Sequence, residues 1–324
     1  AGSTFSCWAT ASVVSAYHVI KMPPTAVYGQ SVTFTATVTT TVSGTGVPDG
    51  AVVFEIHDTP VQTVTLSAGV AAYVTNTLVV GDHPVYVEYL GDATYAASES
   101  DIVTQTVNKA NTTTALVSAP STSVYGQAVT FTATVTTTAT GVAAPIGVVT
   151  FTTATDTLGT AAIGASGIAT VTSAALPAGS HVITATYGGD ANFQTSASSP
   201  VTQTVNPAAT ATALVNAPAT TVYGARVMLT ATVAISGAGA GTPGGVVTFT
   251  AATGDLGTGG LDSGGVATYT TSSLVVGAHP ITATYGGDAN FRASTSSLVT
   301  QTVNKAAATV TLRNLSHIYD GAPK

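Results

Sequence analysis

One string of residues returns three times along this chain at an almost fixed distance, and that register limits the available folds more than any single residue does. Val27-Tyr28-Gly29-Gln30 recurs as Val124-Tyr125-Gly126-Gln127 and, with one change, as Val222-Tyr223-Gly224-Ala225. Val-Thr-Gln-Thr-Val-Asn begins at Val103, Val201 and Val299, so the steps from 103 to 201 and from 201 to 299 are both 98 residues. Solenoid units run about 20 to 50 residues and cannot bury an apolar face alone. A period of this length is instead that of a complete small domain. The 324 residues therefore divide into an atypical segment 1–19, three modules at 20–108, 109–206 and 207–304, and a partial β unit or linking strand at 305–324.

Within a module the hydrophobic period is two. Val129, Phe131, Ala133 and Val135 alternate with Thr130, Thr132 and Thr134, which puts the first set on one face of a strand and the threonines on the other. Threonine suits the outer face because it is β-branched and polar at once. The pattern recurs as Val32, Phe34, Ala36 and Val38, and as Val227, Leu229, Ala231 and Val233. Further strands are expected in module two at 112–117, 148–152, 168–172, 181–187 and 198–205, punctuated by Gly and Pro. Seven or so short strands per module predict tandem all-β, Ig-like antiparallel sandwiches. The links between modules are too short for free reorientation, which predicts an elongated rod.

Composition sets the limits on partners. Only 6% of residues are Asp, Glu, Lys or Arg, against about 25% usually, so hydroxyls must carry solubility. The formal charge is -7 with no Lys/Arg cluster, which argues against nucleic acid and against anionic membranes as partners. No run of residues is apolar enough to insert into a membrane, because the positive mean hydropathy of +0.41 comes from Val and Ala interleaved with Thr. No intact signal peptide is visible at the N-terminus. One cysteine, Cys7, lies outside the modules, so no intrachain disulfide staples them.

Three sets of residues recur in register and are candidates for a site. Asp92, Asp190 and Asp288 follow Tyr89, Tyr187 and Tyr285 in Leu-Gly-Asp-Ala-Thr-Tyr or Gly-Gly-Asp-Ala-Asn-Phe. They read as Asx turns, with calcium ligation as the alternative; calcium needs six to eight oxygens, and few carboxylates are near in sequence. His83, His181 and His279 stand alone in their modules, which suits a hydrogen bond to a loop better than zinc. Tyr28, Tyr125 and Tyr223 read as architectural corner residues with buried rings. Catalysis has little to work with, since module three offers only Asp255, Asp262, Asp288 and His279 and no glycine-bracketed serine. Lysine–asparagine crosslinks would need an internal lysine in every module, and none recurs.

The ends differ from the middle. Ala1 to Val19 holds Cys7 and Trp8 side by side, an intermolecular contact candidate, and could be a donated strand or the tail of another domain. Ala306 to Lys324 starts another unit and is too short to form a core of its own.

Taken as a set, these motifs resemble the tandem bacterial Ig-like repeats of large secreted and cell-surface proteins. Module two carries the pattern almost complete, in Val124 to Gln127, Val129 to Val135, Pro145 to Phe151, Leu158-Gly159, Gly167 to Thr170 and His181 to Phe193. Leu315 to Lys324, with Tyr319-Asp320-Gly321, resembles the opening of an MBG-type domain. The resemblance implies an extracellular, non-enzymatic stalk or spacer at the bacterial surface, without cofactor, with any host, matrix or glycan surface engaged through other domains. Two alternatives stand beside it. One is a self-assembling fibre, a homo-oligomer or filament joined by strand exchange at the termini; the other is an adhesin or glycan-binding module.

Overall fold

A computed structural model describes residues 17–22, 25–40, 46–313 and 321. All regular structure among them is β-strand. By its contacts the chain divides into two compact units. The first holds the described residues up to Ser118 with Thr130–Val171 and Val182–Val201, and the second holds Ala119–Val129, Thr172–His181 and the described residues from Thr202 onward. Module one lies wholly in the first unit and module three wholly in the second.

The described residues of module one form nine strands: β1 (Tyr17–Met22), β2 (Thr25–Val27), β3 (Val32–Val38), β4 (Ala51–Ile56), β5 (Thr59–Thr65), β6 (Val70–Thr75), β7 (Gly81–Tyr89), β8 (Ser98–Glu99) and β9 (Val103–Asn108). A small sheet has the order β1-β3-β6, and a large one has β2-β9-β7-β4-β5 with β8 paired to β7. The inward faces are those the alternation selects: Val32, Phe34, Ala36 and Val38 of β3 meet Val52, Phe54, Val85, Val87 and Tyr89 of the large sheet in one core. Each such aliphatic or aromatic side chain contributes about 1.5–3 kcal/mol by leaving water.

Module three repeats the plan strand for strand. Thr210–Ala217, Val227–Ile235 and Val266–Thr271 form its small sheet, and Thr220–Val222, Val299–Asn304, Gly277–Tyr285, Val246–Ala251 and Gly254–Gly260 the large one. Val52 faces Tyr89, Val149 faces Tyr187 and Val247 faces Tyr285 across the same antiparallel pair in the three copies. A register shift follows Phe54, Phe151 and Phe249 alike, so the bulge belongs to the design of the sheet.

Several details depart from the sequence-based expectation. The sandwich is not wholly antiparallel, because β2 runs parallel to β9, with Thr25 opposite Thr106, and the equivalent pairs are Thr122 with Thr204 and Thr220 with Thr302. This segment covers the outer edge of the last strand, which would otherwise offer unpaired backbone groups. Three residues are too few to show a period. The strands Thr59–Thr65, Thr157–Ala162 and Gly254–Gly260 were also not expected. They pair with the β4-type strand on one side and are largely exposed, so no alternation marks them. The span expected as one strand at 198–205 is two, Ser196–Ala197 and Val201–Asn206. Tyr17 to Val19, assigned by sequence to the atypical segment, pair with Val38 to Ala36 as part of the first small sheet. Cys7 and Trp8 lie outside the described residues, as does the stretch resembling an MBG-type opening apart from Gly321.

Candidate functional site

The recurrent Tyr-x-Gly-Asp turn closes one end of each module. Tyr89, Tyr187 and Tyr285 end the β7-type strand facing inward and are fully buried, so each hydroxyl must find a partner inside the protein. Tyr89 donates to Asp92 Oδ2 at 2.7 Å, Tyr285 to Asp288 Oδ2 at 3.1 Å and Tyr187 to the Ile146 carbonyl at 2.8 Å. The other carboxylate oxygen caps the turn. Asp92 Oδ1 accepts from the Thr94 and Tyr95 N–H groups, Asp190 Oδ1 from Asn192 and Phe193, and Asp288 Oδ1 from Asn290 and Phe291, all within 2.9 Å. A further N–H from the preceding loop reaches Oδ2: Asp49 at 3.4 Å, Ile146 at 2.9 Å and Gly244 at 3.4 Å. Each aspartate thus ties a strand end, its turn and a loop together.

These bonds set the titration of the groups. Burial pushes the Tyr285 hydroxyl up to about 12, with the hydrogen bond to Asp288 and its charge adding to the effect. Tyr89 and Tyr187 are driven up by burial first and by Asp92 and Asp190 second. Burial alone would raise Asp92, but the Tyr89 hydroxyl and the N–H groups of Thr94, Tyr95 and Asp49 outweigh it and hold the carboxyl at about 2, below its ordinary 3.8. A tyrosine whose folded pKa lies above its unfolded value of 10.0 stabilises the fold below pH 10 and loses that contribution as pH rises through about 12. Alkaline titration is therefore expected to destabilise module three as pH rises from about 10 through 12, with the Tyr285 share of the phenolate absorbance, read as the difference from a Tyr285→Phe variant, rising in step with loss of the β-sheet circular dichroism. Phenolate from Tyr285 itself at pH 10 with the fold intact would contradict the burial of its ring. Asp92 acts at the other end: its contribution is present above pH 3.8 and is lost as pH falls through about 2.

The same occupancy bears on calcium. The lone pairs of Asp92, Asp190 and Asp288 already accept protein donors, and no three His, Cys, Asp or Glu side chains come together among the described residues. Calcium would need six to eight oxygens, and these carboxylates would have to exchange protein donors for the ion. Unfolding temperatures in millimolar calcium and in chelator are expected to agree within about 1 °C, since ligand-linked stabilisation needs a site present only in the folded state. A rise with calcium would assign these aspartates the ligand role.

The histidines bond to loop carbonyls. His83 Nε2 lies 2.8 Å from the Val79 oxygen, His181 Nε2 2.8 Å from that of Pro177 and His279 Nε2 2.7 Å from that of Val275. A carbonyl only accepts, so Nε2 carries the proton. In module one Nδ1 of His83 then accepts from His57 Nε2 at 3.0 Å.

Tyr28, Tyr125 and Tyr223 differ from the expected buried corners. Inside the first unit the Tyr28 ring meets the edge of Phe193, with centroids 5.6 Å apart at 88°. Inside the second unit Tyr125 meets Phe291 at 5.3 Å and 83°. Each tyrosine thus reaches the aromatic residue of the next repeat's Gly-Asp turn, and the Ala240 N–H also donates to the Tyr125 carbonyl at 3.2 Å. Tyr223 is 57% exposed. A cleft of about 410 Å³ beside Tyr28 is lined by Gln30, Ser31, Asn76, Asn111, Thr138 and Thr140 among others, with no titratable side chain except the phenol.

Sequence reasoning passed over one recurrent group. Gln105, Gln203 and Gln301 are completely buried. Gln203 and Gln301 donate through Nε2 to the Ser123 and Thr221 hydroxyls at 3.3 Å, stitching the last strand to the short parallel one. The signal was present, because in Val-Thr-Gln-Thr-Val the glutamine shares the inward face with the two valines.

Among the described residues no helix is long and apolar enough to cross a membrane. Comparison with curated proteins finds no match. Among solved structures the chain is similar to invasin, a bacterial integrin-binding protein, at 17% identity over 83% of this chain and 57% of that one, with a TM-score of 0.42. It is also similar to titin domains A168–A170, at 11% identity over 90% and 99% with a TM-score of 0.36, and to the Escherichia coli adhesin FdeC, at 16% over 90% and 99% with a TM-score of 0.31. The bacterial Ig-like domain (group 3) family matches residues 20–108, 116–206 and 214–304. With most of its length in three such matches, built on one repeated strand plan and one repeated turn, the chain belongs to the bacterial Ig-like domain (group 3) family.

Proposed function

We propose that this chain is a length of non-catalytic shaft in a bacterial surface or secreted protein, holding other domains of its parent away from their point of attachment. The observation that carries this reading is how the recurrent residues are used. Apart from the exposed Tyr223 ring, the aspartates, tyrosines, histidines and glutamines that return in register are bound to their own module's backbone and core, or to the next repeat. Side chains committed in this way are poor acids, bases or nucleophiles, and the described residues bring together no cluster of titratable groups that would supply others. A shaft needs only modules that resist unfolding and junctions that keep them in line.

Single-molecule pulling from both ends tests the reading. Three unfolding events are expected, each releasing about 300 Å of chain, as a module of this length extends at 3.3–3.6 Å per residue. Fewer events, or modules that give way without a measurable force peak, would exclude a load-bearing role. Saturable binding of a glycan or matrix protein to the intact chain would shift the reading to adhesion by the modules themselves.

A further inference from the structure

The two junctions described above use one half-site twice, and a third copy of it stands open. Gly29, Gly126 and Gly224 follow the three tyrosines with φ of +81°, +78° and +82°. Tyr28, Tyr125 and Tyr223 each donate their N–H to the asparagine that ends the module, Asn108, Asn206 and Asn304, at 2.8–2.9 Å. The backbone presented is therefore the same. At the first two copies it is covered: a Cβ at Gly29 would lie 2.5 Å from Val142 Cγ1, and one at Gly126 would lie 2.5 Å from the Ala240 carbonyl oxygen. At Gly224 it would meet no atom within 4 Å among the described residues. Around it Tyr223 and Val222 are 57% and 49% exposed. Val275 and Val276 are also exposed, although Ala178, 98 residues before Val276, donates its N–H to the Asn290 side chain of the following repeat at 2.9 Å.

We propose that the face formed by Val222, Tyr223 and Gly224 is the docking half of a third junction, and that its occupant is a further β-sandwich module of the same polypeptide whose first strand starts at Ala306. Continuity with the two formed junctions is one argument. The second lies in the residues after Asn304. Lys305-Ala306 repeats Lys109-Ala110, and Ala306 falls 98 residues after Ala208. Ala110 and Ala208 are both buried where their modules begin. Val310 and Leu312 stand in register with Thr212 and Leu214, which point into module three's core side, yet they are 87% and 72% exposed. Apolar residues at core-facing positions of a strand pattern call for a core to receive them. The docking chemistry follows from the formed copies: an aromatic edge for the Tyr223 ring, an uncharged loop lying flat on Gly224, and no ionic contact. This deepens the shaft reading, and the two fail separately because the test below is local to one face.

The test compares the 324-residue chain with one extended by the next hundred or so residues that its gene encodes. Amide exchange at residues 222–225 is expected to slow about tenfold or more in the extended chain, as covered backbone opens less often, and nitration of Tyr223 by tetranitromethane should fall with it. Tyr223→Ala in the extended chain should abolish the contact and leave the unfolding temperature of module three unchanged, since the ring is outside that core. Exchange at 222–225 that ignores the extension overturns the proposal, and so does a stop codon directly after Lys324. Protection that appears in the 324-residue chain alone and grows with its concentration would identify a second copy as the occupant and overturn it equally.

Discussion

Tyr285→Ala is expected to destabilise module three by about 3–5 kcal/mol, the cost of deleting a fully buried aromatic ring whose site cannot collapse. The ring lies opposite Val247 at the end of the central strand of the large sheet and shares the core with Phe249 and Ile281. Its removal also strips Asp288 of a hydroxyl donor, loosening the turn that holds the Asn290 and Phe291 N–H groups. A domain of this size shifts its midpoint by about 4–8 °C per kcal/mol, so one calorimetric transition should fall by more than about 12 °C while the other modules keep theirs. Tyr285→Phe separates the two contributions. It keeps the ring and loses one hydrogen bond to a charged group, worth about 1.5–3 kcal/mol. A fall of less than about 3 °C for the alanine variant would mean that the ring does not carry the core as described.

What could be read from the sequence followed the strength of the periodic signal. The β3-type strands were legible because four inward residues alternate with threonine in each of three copies, Met228 being the one exception, and the structure buries all of the inward ones. The β5-type edge strand was not, because in Gly254–Gly260 only Gly259 is buried and four of the seven residues are glycine. A strand exposed on most positions leaves no pattern. The tyrosines show a subtler limit. Tyr28 and Tyr285 both precede a glycine and both recur every module, yet one meets a neighbouring repeat and the other its own core. Tyr285 closes an alternating run, Ile281 and Ala283 before it, which points it inward. Tyr28 follows only three strand residues, with Ala26 as the one buried position, so nothing local reveals where its ring goes. The partner lies well over one hundred residues away, at Phe193, and a contact of that separation is visible only once the modules are folded. The roles of Asp92, Asp190 and Asp288 were left open between turn and ligand for a similar reason. Part of their bonding comes from the N–H groups of Asp49, Ile146 and Gly244, in a loop more than forty residues earlier.

The contrast between an occupied and an open half-site gives the second large effect. Gly126→Ala and Gly224→Ala place a Cβ at nearly the same backbone angle, φ of +78° and +82°, so both carry the strain of a left-handed conformation, about 1–2 kcal/mol. Only at Gly126 does the new methyl collide with another chain segment, the backbone of Ala240, which has no side-chain freedom with which to retreat. Such overpacking adds about 1–3 kcal/mol, and the natural escape is for the Tyr125–Phe291 contact to open. Gly126→Ala is therefore expected to release the Ala240 N–H, which bonds the Tyr125 carbonyl, to fast exchange, and to lower stability by roughly twice as much as Gly224→Ala does. Exchange at Ala240 unchanged by Gly126→Ala would mean that the junction tolerates the methyl by a small shift of the loop. Equal losses in the two variants would leave strain at the glycine as the whole effect, and the close approach of Ala240 would then have no part in holding the repeats together.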